Sequence, residues 1–248
     1  MSYLRLTRGR LILGSFAASS ILLVAFPAID IHVSRLFFFD DGFHLGNEWW
    51  AKFLHDGMAW FLGSSMAVVI ALYACNRLSR RNWCGVDGKR VIYLFIVLAL
   101  GAGVIVNVVF KDNFGRARPR DIAEFGGTKL FTPAFVVSQE CGKNCSFSSG
   151  EGAGGFFALA LALALNRRRA ALAAAFAVGC VVSYWRVASG AHFLSDTLVS
   201  FFVMLIVADV LFYYVVQRDP EPAAGMRRAG LEPRPAGNLN SGARSGTS

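Results

Sequence analysis

The chain has 248 residues, of which 55% are hydrophobic and 17% charged, with a mean hydropathy of +0.48 and a formal net charge of +9. An ordinary soluble domain carries roughly 45–50% apolar and about 25% charged residues, so a water-rimmed globule is excluded, as are a disordered chain, a collagen repeat and a small disulfide scaffold. The 22 Phe and 25 Gly, set among uncharged apolar stretches of membrane-spanning length, indicate an all-α, polytopic membrane protein in which glycine lets helices approach closely. In such a protein the positive charge is an orientation signal, and no nucleic-acid partner is expected.

Six apolar runs predict six transmembrane helices, near residues 11–29, 58–76, 91–110, 152–166, 170–185 and 193–216. The fourth and fifth are short, but Arg167, Arg168 and Arg169 between them forbid one continuous helix, so a tight hairpin is expected. The first run also resembles a signal sequence; no clear Ala-x-Ala site follows it, and it is expected to be retained as a span. Residues 1–217 then form one membrane domain, and 218–248, rich in Pro, Gly, Ser and Arg with little to bury, are expected to be a disordered tail.

Orientation follows from the connecting segments, because Lys and Arg are retained on the cytoplasmic side. With the N-terminus inside, that side holds most of the 25 Lys and Arg: the cluster at Arg5, Arg8 and Arg10, the loop from Arg77 to Arg90, the arginine triplet and the tail. Both termini are therefore expected in the cytoplasm.

This arrangement collects four polar stretches on the outer face: Lys111 to Pro119, Ser146 to Glu151, Arg186, and His192 to Asp196. Snorkelling explains one such stretch, but four helix ends on one face indicate a site. His192 and Asp196 are four residues apart, so on a helix they share a face; the carboxylate can hold one ring nitrogen and leave the other as base or nucleophile. Lys111, Arg118 and Arg186 supply positive charge, with the two arginines offering planar forks suited to phosphate oxygens. Ser149 and Gly150, opening the fourth helix, would add backbone donors to an oxyanion cradle, while Gly152, Gly154 and Gly155 read as packing residues.

Lys111-x6-Arg118-Pro119, Ser148-Ser149-Gly150-Glu151 and Arg186-x5-His192-x3-Asp196 together resemble the three-part signature of the type-2 phosphatidic acid phosphatase superfamily, which includes vanadium haloperoxidases. The resemblance implies that family's helical core and an integral-membrane lipid phosphatase of a bacterial cytoplasmic membrane, acting on its outer face. It further implies that His192 attacks phosphorus to form a phosphohistidine, that Asp196 orients it, and that Lys111, Arg118, Ser149, Gly150 and Arg186 bind the phosphate. Water then hydrolyses the phosphoenzyme, so neither cofactor nor metal is expected. The implied substrates are undecaprenyl diphosphate, lipid A and phosphorylated glycerolipids.

Two departures matter. The family's second motif reads Pro-Ser-Gly-His, its histidine protonating the leaving group, whereas Glu151 stands here; the third begins Ser-Arg, whereas this chain has Trp185-Arg186. Glu151 could serve as a general acid, position the hydrolytic water, or pair structurally with a cation. A leaving group that needs little protonation, such as a diphosphate or an anomeric sugar phosphate, would suit a weak acid there. A phosphotransferase on the same fold, and a non-catalytic protein that binds lipid phosphates, are the rival readings.

Cys141 and Cys145 could form a small disulfide loop if the outer face is periplasmic. His32, His44 and His55 match no metal template and read as surface residues. Phe37, Phe38, Phe39, Phe43, Trp49 and Trp50 read as an interfacial belt or a reclining amphipathic helix, and Asp209, inside the last span, as a snorkelling or paired carboxylate.

Overall fold

Pro27 divides the first apolar run. The helix α1 (Ser2–Ala25) ends just before it, and α2 (Ala28–Arg35) restarts with Pro27 at its N-cap, where a missing N–H costs nothing. The computed structural model describes residues 2–40, 42–46, 49–165 and 168–218. The expected tail at 219–248 lies outside the described residues, as do Asp41, Glu48 and Arg167 and the side chains of Trp49, Trp50 and His55. Every regular element among the described residues is helical: α3 (Trp49–Ser79), α4 (Gly88–Lys111), α5 (Gly150–Leu165), α6 (Arg169–Ala188) and α7 (Leu194–Gln217) follow, with short 3₁₀ turns between them. Five helices are long and apolar enough to cross a membrane, over Thr7–Ala25, Asp56–Ser79, Gly88–Lys111, Arg169–Ala188 and Leu194–Gln217, and α5 is a shorter apolar helix.

The short helix is the central one. α5 packs against α3, α4, α6 and α7, and its buried residues run round the whole helix, from Ala153 and Phe157 to Ala160 and Ala164. A helix apolar on every side is stable only when enclosed, and α5 is enclosed by protein. Glycine makes the enclosure tight. A Cβ on Gly154 would lie 2.9 Å from Met58 Sδ, one on Gly155 3.2 Å from Gly179 Cα, and one on Gly179 2.1 Å from Phe156 Cδ1. Gly154 and Gly155 are therefore contact points for α3 and α6, in keeping with their reading as packing residues.

At the end of the bundle away from the polar stretches, Asn76 closes the α3–α4 turn. Its amide donates to the carbonyls of Trp83 (3.1 Å) and Val86 (3.0 Å) and accepts from the Trp83 N–H (2.9 Å). α4 opens with Asp87 capping the Arg90 N–H (2.9 Å) and widens into π-helical turns from Val97 to Lys111. α1 lies along α7, with Phe16 and Phe202 rings 5.2 Å apart and Arg8 paired to Asp209 at 2.9 Å. That ion pair accounts for the carboxylate in the last span.

A second apolar cluster, around Phe43, Ala117, Ile122, Phe125 and Phe193, sits under the loops of the polar end. It takes Phe38 and Phe43 out of the interfacial belt expected of the aromatic segment. Phe38 and Phe43 stack with Phe125 at 5.2 and 5.3 Å inside this cluster, Phe37 meets Tyr184 at 5.4 Å, and only Phe39 among the four phenylalanines is fully outward. These rings are spent on anchoring loops, because burying an aromatic pair stabilises more than exposing it at an interface.

Candidate active site

Two loops and three helix ends meet at one cavity. Phe147 holds the first loop: fully buried, its ring contacts Phe110 (5.3 Å), Phe114 (5.0 Å) and Phe135 (5.1 Å), and so fixes Ser146 and Ser148 on either side of it. Ser149 then caps α5, its hydroxyl accepting from the Gly152 N–H at 3.1 Å. The second loop is fastened to the last turn of α6. The Arg186 carbonyl accepts from the N–H groups of both Ala191 (3.1 Å) and His192 (3.2 Å), so the five residues between Arg186 and His192 form one closed turn. Gly190 makes that turn with a φ of +65°, and a Cβ there would stand 2.5 Å from the Phe43 ring.

His192 is fully buried. Its Nδ1 lies 2.7 Å from the Ser146 carbonyl oxygen, an acceptor only, so Nδ1 carries a proton and Nε2 is the ring nitrogen left for chemistry. The carboxylate expected to hold Nδ1 stands 3.6 Å away instead. Asp196 Oδ2 accepts from the Ser146 hydroxyl and the Phe193 N–H (2.8 Å), so it fixes the two loops that carry the imidazole and its acceptor. Nε2 makes no hydrogen bond among the described residues and faces Glu151 Oε2 at 3.7 Å.

Beyond Glu151 opens a cavity of about 470 Å³, lined by Lys111, Arg118, Arg186 and Glu151 together with Arg120, Asn144, Asp56 and Trp185. Lys111 ends α4 and reaches the start of α5: a Cβ on Gly150 would lie 3.5 Å from its Nζ and 3.1 Å from Asn107 Oδ1. Gly150 thus admits the ammonium group close to the helix N-terminus. Arg118 donates to the Asn144 carbonyl at 2.9 Å; burial, and secondly the neighbouring Arg120, pull its guanidinium below its ordinary value, although arginine stays charged. Arg186 Nη2 pairs with Glu151 at 3.4 Å, while its buried Nε has no partner among the described residues. An unpaired buried donor is costly, and an arriving oxyanion removes that cost.

The structure therefore gathers His192, Asp196, Glu151, Lys111, Arg118, Gly150 and Arg186 at one place. Ser149 is the exception among the expected phosphate donors. Its hydroxyl caps α5 and its N–H is directed at the Asp196 carbonyl (3.4 Å), so neither is turned to the cavity. Cys141 and Cys145 are joined as a disulfide with a Cα separation of 5.6 Å, in the loop just before Ser146. His32 and His44 are exposed and bond local carbonyls. Among the described residues no group of three or more His, Cys, Asp or Glu could hold a metal ion.

One buried group was not legible as part of the site. Arg116 donates from Nη1 to Asp196 Oδ1 (2.6 Å) and Ser195 Oγ (2.7 Å), from Nη2 to Asp30 Oδ2 (2.8 Å), and from Nε to the Thr132 carbonyl (2.8 Å). In the sequence it is one more cation of the outer loop, and Asp30 lies 166 positions before its neighbour Asp196, with nothing local to link them. Arg120, Asn144 and Asp56, on the cavity wall, carried no signal beyond polarity.

A cationic cavity with an oriented imidazole just behind its Glu151 wall, at the polar end of a membrane-helix bundle, defines an integral-membrane protein built to handle an anionic group. The PAP2 superfamily model matches residues 90–220, more than half of the chain. The chain belongs to this superfamily, on its membrane lipid-phosphatase branch. It is 32% identical over 181 residues to a lipid A 4'-phosphatase of Francisella tularensis subsp. novicida, covering 71% of this chain and 81% of that one. Lipid A 4'-phosphatases of Rhizobium leguminosarum and Rhizobium etli are 31% and 30% identical over 199 residues, covering 74% of this chain and 85% and 77% of theirs. No solved structure matches.

Proposed function

We propose that this protein is a phosphatase of the bacterial cytoplasmic membrane that removes a phosphate monoester from a lipid-linked sugar, with lipid A as the substrate, through a phosphohistidine on His192. The observation that carries this is His192 itself: Nδ1–H is committed to the Ser146 carbonyl at 2.7 Å, and Nε2 is left without a hydrogen bond beside the cavity of Lys111, Arg118 and Arg186. The lipid A 4'-phosphatase relatives support the substrate. The cavity is assigned to the outer face of the membrane, with both termini inside, on the distribution of Lys and Arg.

In this reading the Nε2 lone pair forms a bond to phosphorus while the bond from phosphorus to the sugar oxygen breaks, and Nδ1 keeps its proton. The three cations hold the equatorial oxygens. The 4'-position is not an anomeric carbon, so the leaving group is an ordinary alcohol, and a group that needs little protonation no longer explains Glu151. Burial favours the neutral form of Glu151, but His192, Arg186 and Lys111 together hold its carboxyl well below the usual range while the cavity is empty, and a phosphate that takes up the two cations releases it to accept a proton. We then assign Glu151 to both proton steps: it gives that proton to the leaving oxygen, and takes one from the water that attacks phosphorus as the N–P bond breaks and its electron pair returns to Nε2. No metal enters these steps.

The test is phosphate release by the purified protein from lipid A, undecaprenyl diphosphate and phosphatidate, beside His192→Ala. Release from lipid A in preference to the others, lost in His192→Ala, is the expected result. Equal turnover of phosphatidate overturns the sugar-phosphate assignment, and full activity in His192→Ala overturns the phosphohistidine. Transfer of the phosphate to an added lipid acceptor would make the protein a phosphotransferase.

A further inference from the structure

Behind the imidazole, on the side away from the cavity, two carboxylates share one guanidinium. Asp30, Arg116 and Asp196 are each almost fully buried. Arg116 bridges Asp30 Oδ2 (2.8 Å) and Asp196 Oδ1 (2.6 Å), and Ser195 completes a ring, its N–H donating to Asp30 Oδ1 (2.9 Å) and its hydroxyl to Asp30 Oδ2. The Arg116 guanidinium carbon lies over the Phe193 ring, 4.2 Å from its centroid, so water is kept from that face. Two negative charges and one positive leave a net charge of −1 in this enclosure, whose nearest reactive neighbour is the His192 ring, 3.6 Å from Asp196 Oδ2.

Asp30 has no packing reason to be there. It lies one turn past Pro27 in α2, whose buried residues are Asp30 and Ser34, and a buried carboxylate costs free energy unless it is paired. If Arg116 faced Asp196 alone, the pair would be neutral and His192 would sit beside no net charge. The imidazole becomes positive when Nε2 bonds to phosphorus while Nδ1 keeps its proton, so the charge behind it matters most at that step.

We propose that Asp30, acting through Arg116, is a positioning residue of the reaction: by taking half of the guanidinium it leaves Asp196 with uncompensated negative charge, which stabilises the cationic phosphohistidine. This rests on the assignment of His192 as the nucleophile. The other charged groups facing His192 are Glu151 from α5 and Arg186 from α6, with Lys111 from α4 and Arg118 from the loop further out; all lie on the cavity side, so the enclosure sets the charge on the opposite side alone.

The experiment is a set of pH–rate profiles that count charge. Asp30→Asn makes the enclosure neutral, Asp30→Glu preserves its charge, and the double variant Asp30→Asn with Arg116→Gln restores −1 on Asp196 alone. Neutral imidazole is the attacking form, and removing a neighbouring negative charge makes the ring harder to protonate. Asp30→Asn is therefore expected to lower kcat about 10-fold or more with little change in KM, and to move the acidic limb of kcat/KM to lower pH. Asp30→Glu should leave the limb where it is in the wild type, and the double variant should return it there. A purely structural Asp30 predicts the reverse order, with the double variant worst and no limb moved; that result overturns the proposal. Should Asp30→Asn not assemble, Arg116→Gln alone decides: it leaves a charge of −2 in the enclosure, so a charge effect moves the acidic limb to higher pH, whereas a purely structural Asp30 leaves it in place. If His192→Ala keeps wild-type turnover, the nucleophile assignment has failed, and the proposal, which rests on it, is overturned with it; a moved limb is not needed to tell the two failures apart, because only this one shows in His192→Ala.

Discussion

At the residue scale the site divides into groups that face the cavity and groups that hold those in place, and the two respond differently to substitution. Ser149 is the clearest separation. It occupies a position the family motif gives to phosphate binding, yet its hydroxyl caps α5 at Gly152 and its carbonyl accepts from Ser200 Oγ at 2.8 Å. Ser149→Ala is therefore expected to cost about 0.5–2 kcal/mol of stability, seen as a lower melting temperature in detergent, with KM nearly unchanged; a large rise in KM at constant stability would return the hydroxyl to the phosphate. Glu151 behaves in the opposite way. Its carboxylate lies between Nε2 and the Arg186 guanidinium, on the side of α5 that meets the cavity. Glu151→Gln, which cannot exchange a proton, should lower kcat about 10²-fold or more, whereas Glu151→His should keep a substantial part of the rate; equal and small losses in both would reduce Glu151 to a structural partner of Arg186.

At the element scale, α5 is held by contacts that leave no room for a methyl group. A Cβ on Gly179 would meet the Phe156 ring at 2.1 to 2.7 Å, and that ring is backed by Phe201 at 5.0 Å and so cannot simply swing away. Gly179→Ala is expected to destabilise by about 1–3 kcal/mol, read as a lower melting temperature, while Gly14→Ala on α1, with nothing within 4 Å of its Cβ, should change little. Both glycines sit in apolar helices and look alike in the sequence. Five of the six expected spans fall on helices long and apolar enough to cross a membrane, because hydrophobic runs of that length have few other uses, while the sixth, at 152–166, is the shorter enclosed α5; the pairs Lys111 with Arg118 and Arg186 with His192 were legible because each is fixed by local chain geometry. What escaped were two contacts set by tertiary packing, Asp30 with Arg116 and Phe43 with Phe125, each joining residues far apart in the chain. The diversion of Ser149 into a cap escaped for another reason: Gly152 is only three residues on, but polarity alone does not say whether the cap or the phosphate wins the hydroxyl.

At the scale of the whole molecule, α4 is long enough to separate the two ends by a bilayer's hydrocarbon layer, since its 24 residues would rise about 36 Å as a straight α-helix. Lys111 at one end lines the cavity, and the exposed Cys84, in the turn before the other end, marks the opposite surface. Cys141 and Cys145 are bonded to each other, so in a Cys75→Ser and Cys180→Ala background Cys84 is the one remaining free thiol among the described residues. A membrane-impermeant maleimide added to intact spheroplasts should leave Cys84 unmodified and should label it in inside-out vesicles. Leu130→Cys, exposed in the loop on the cavity side, should show the opposite pattern. The reverse labelling would place the cavity at the cytoplasmic surface, where the protein would meet its substrate before export. It would also leave the disulfide loop in a reducing compartment, where such bonds do not persist. The orientation thus decides both which lipid pool the enzyme sees and whether the approach to Ser146 is covalently closed.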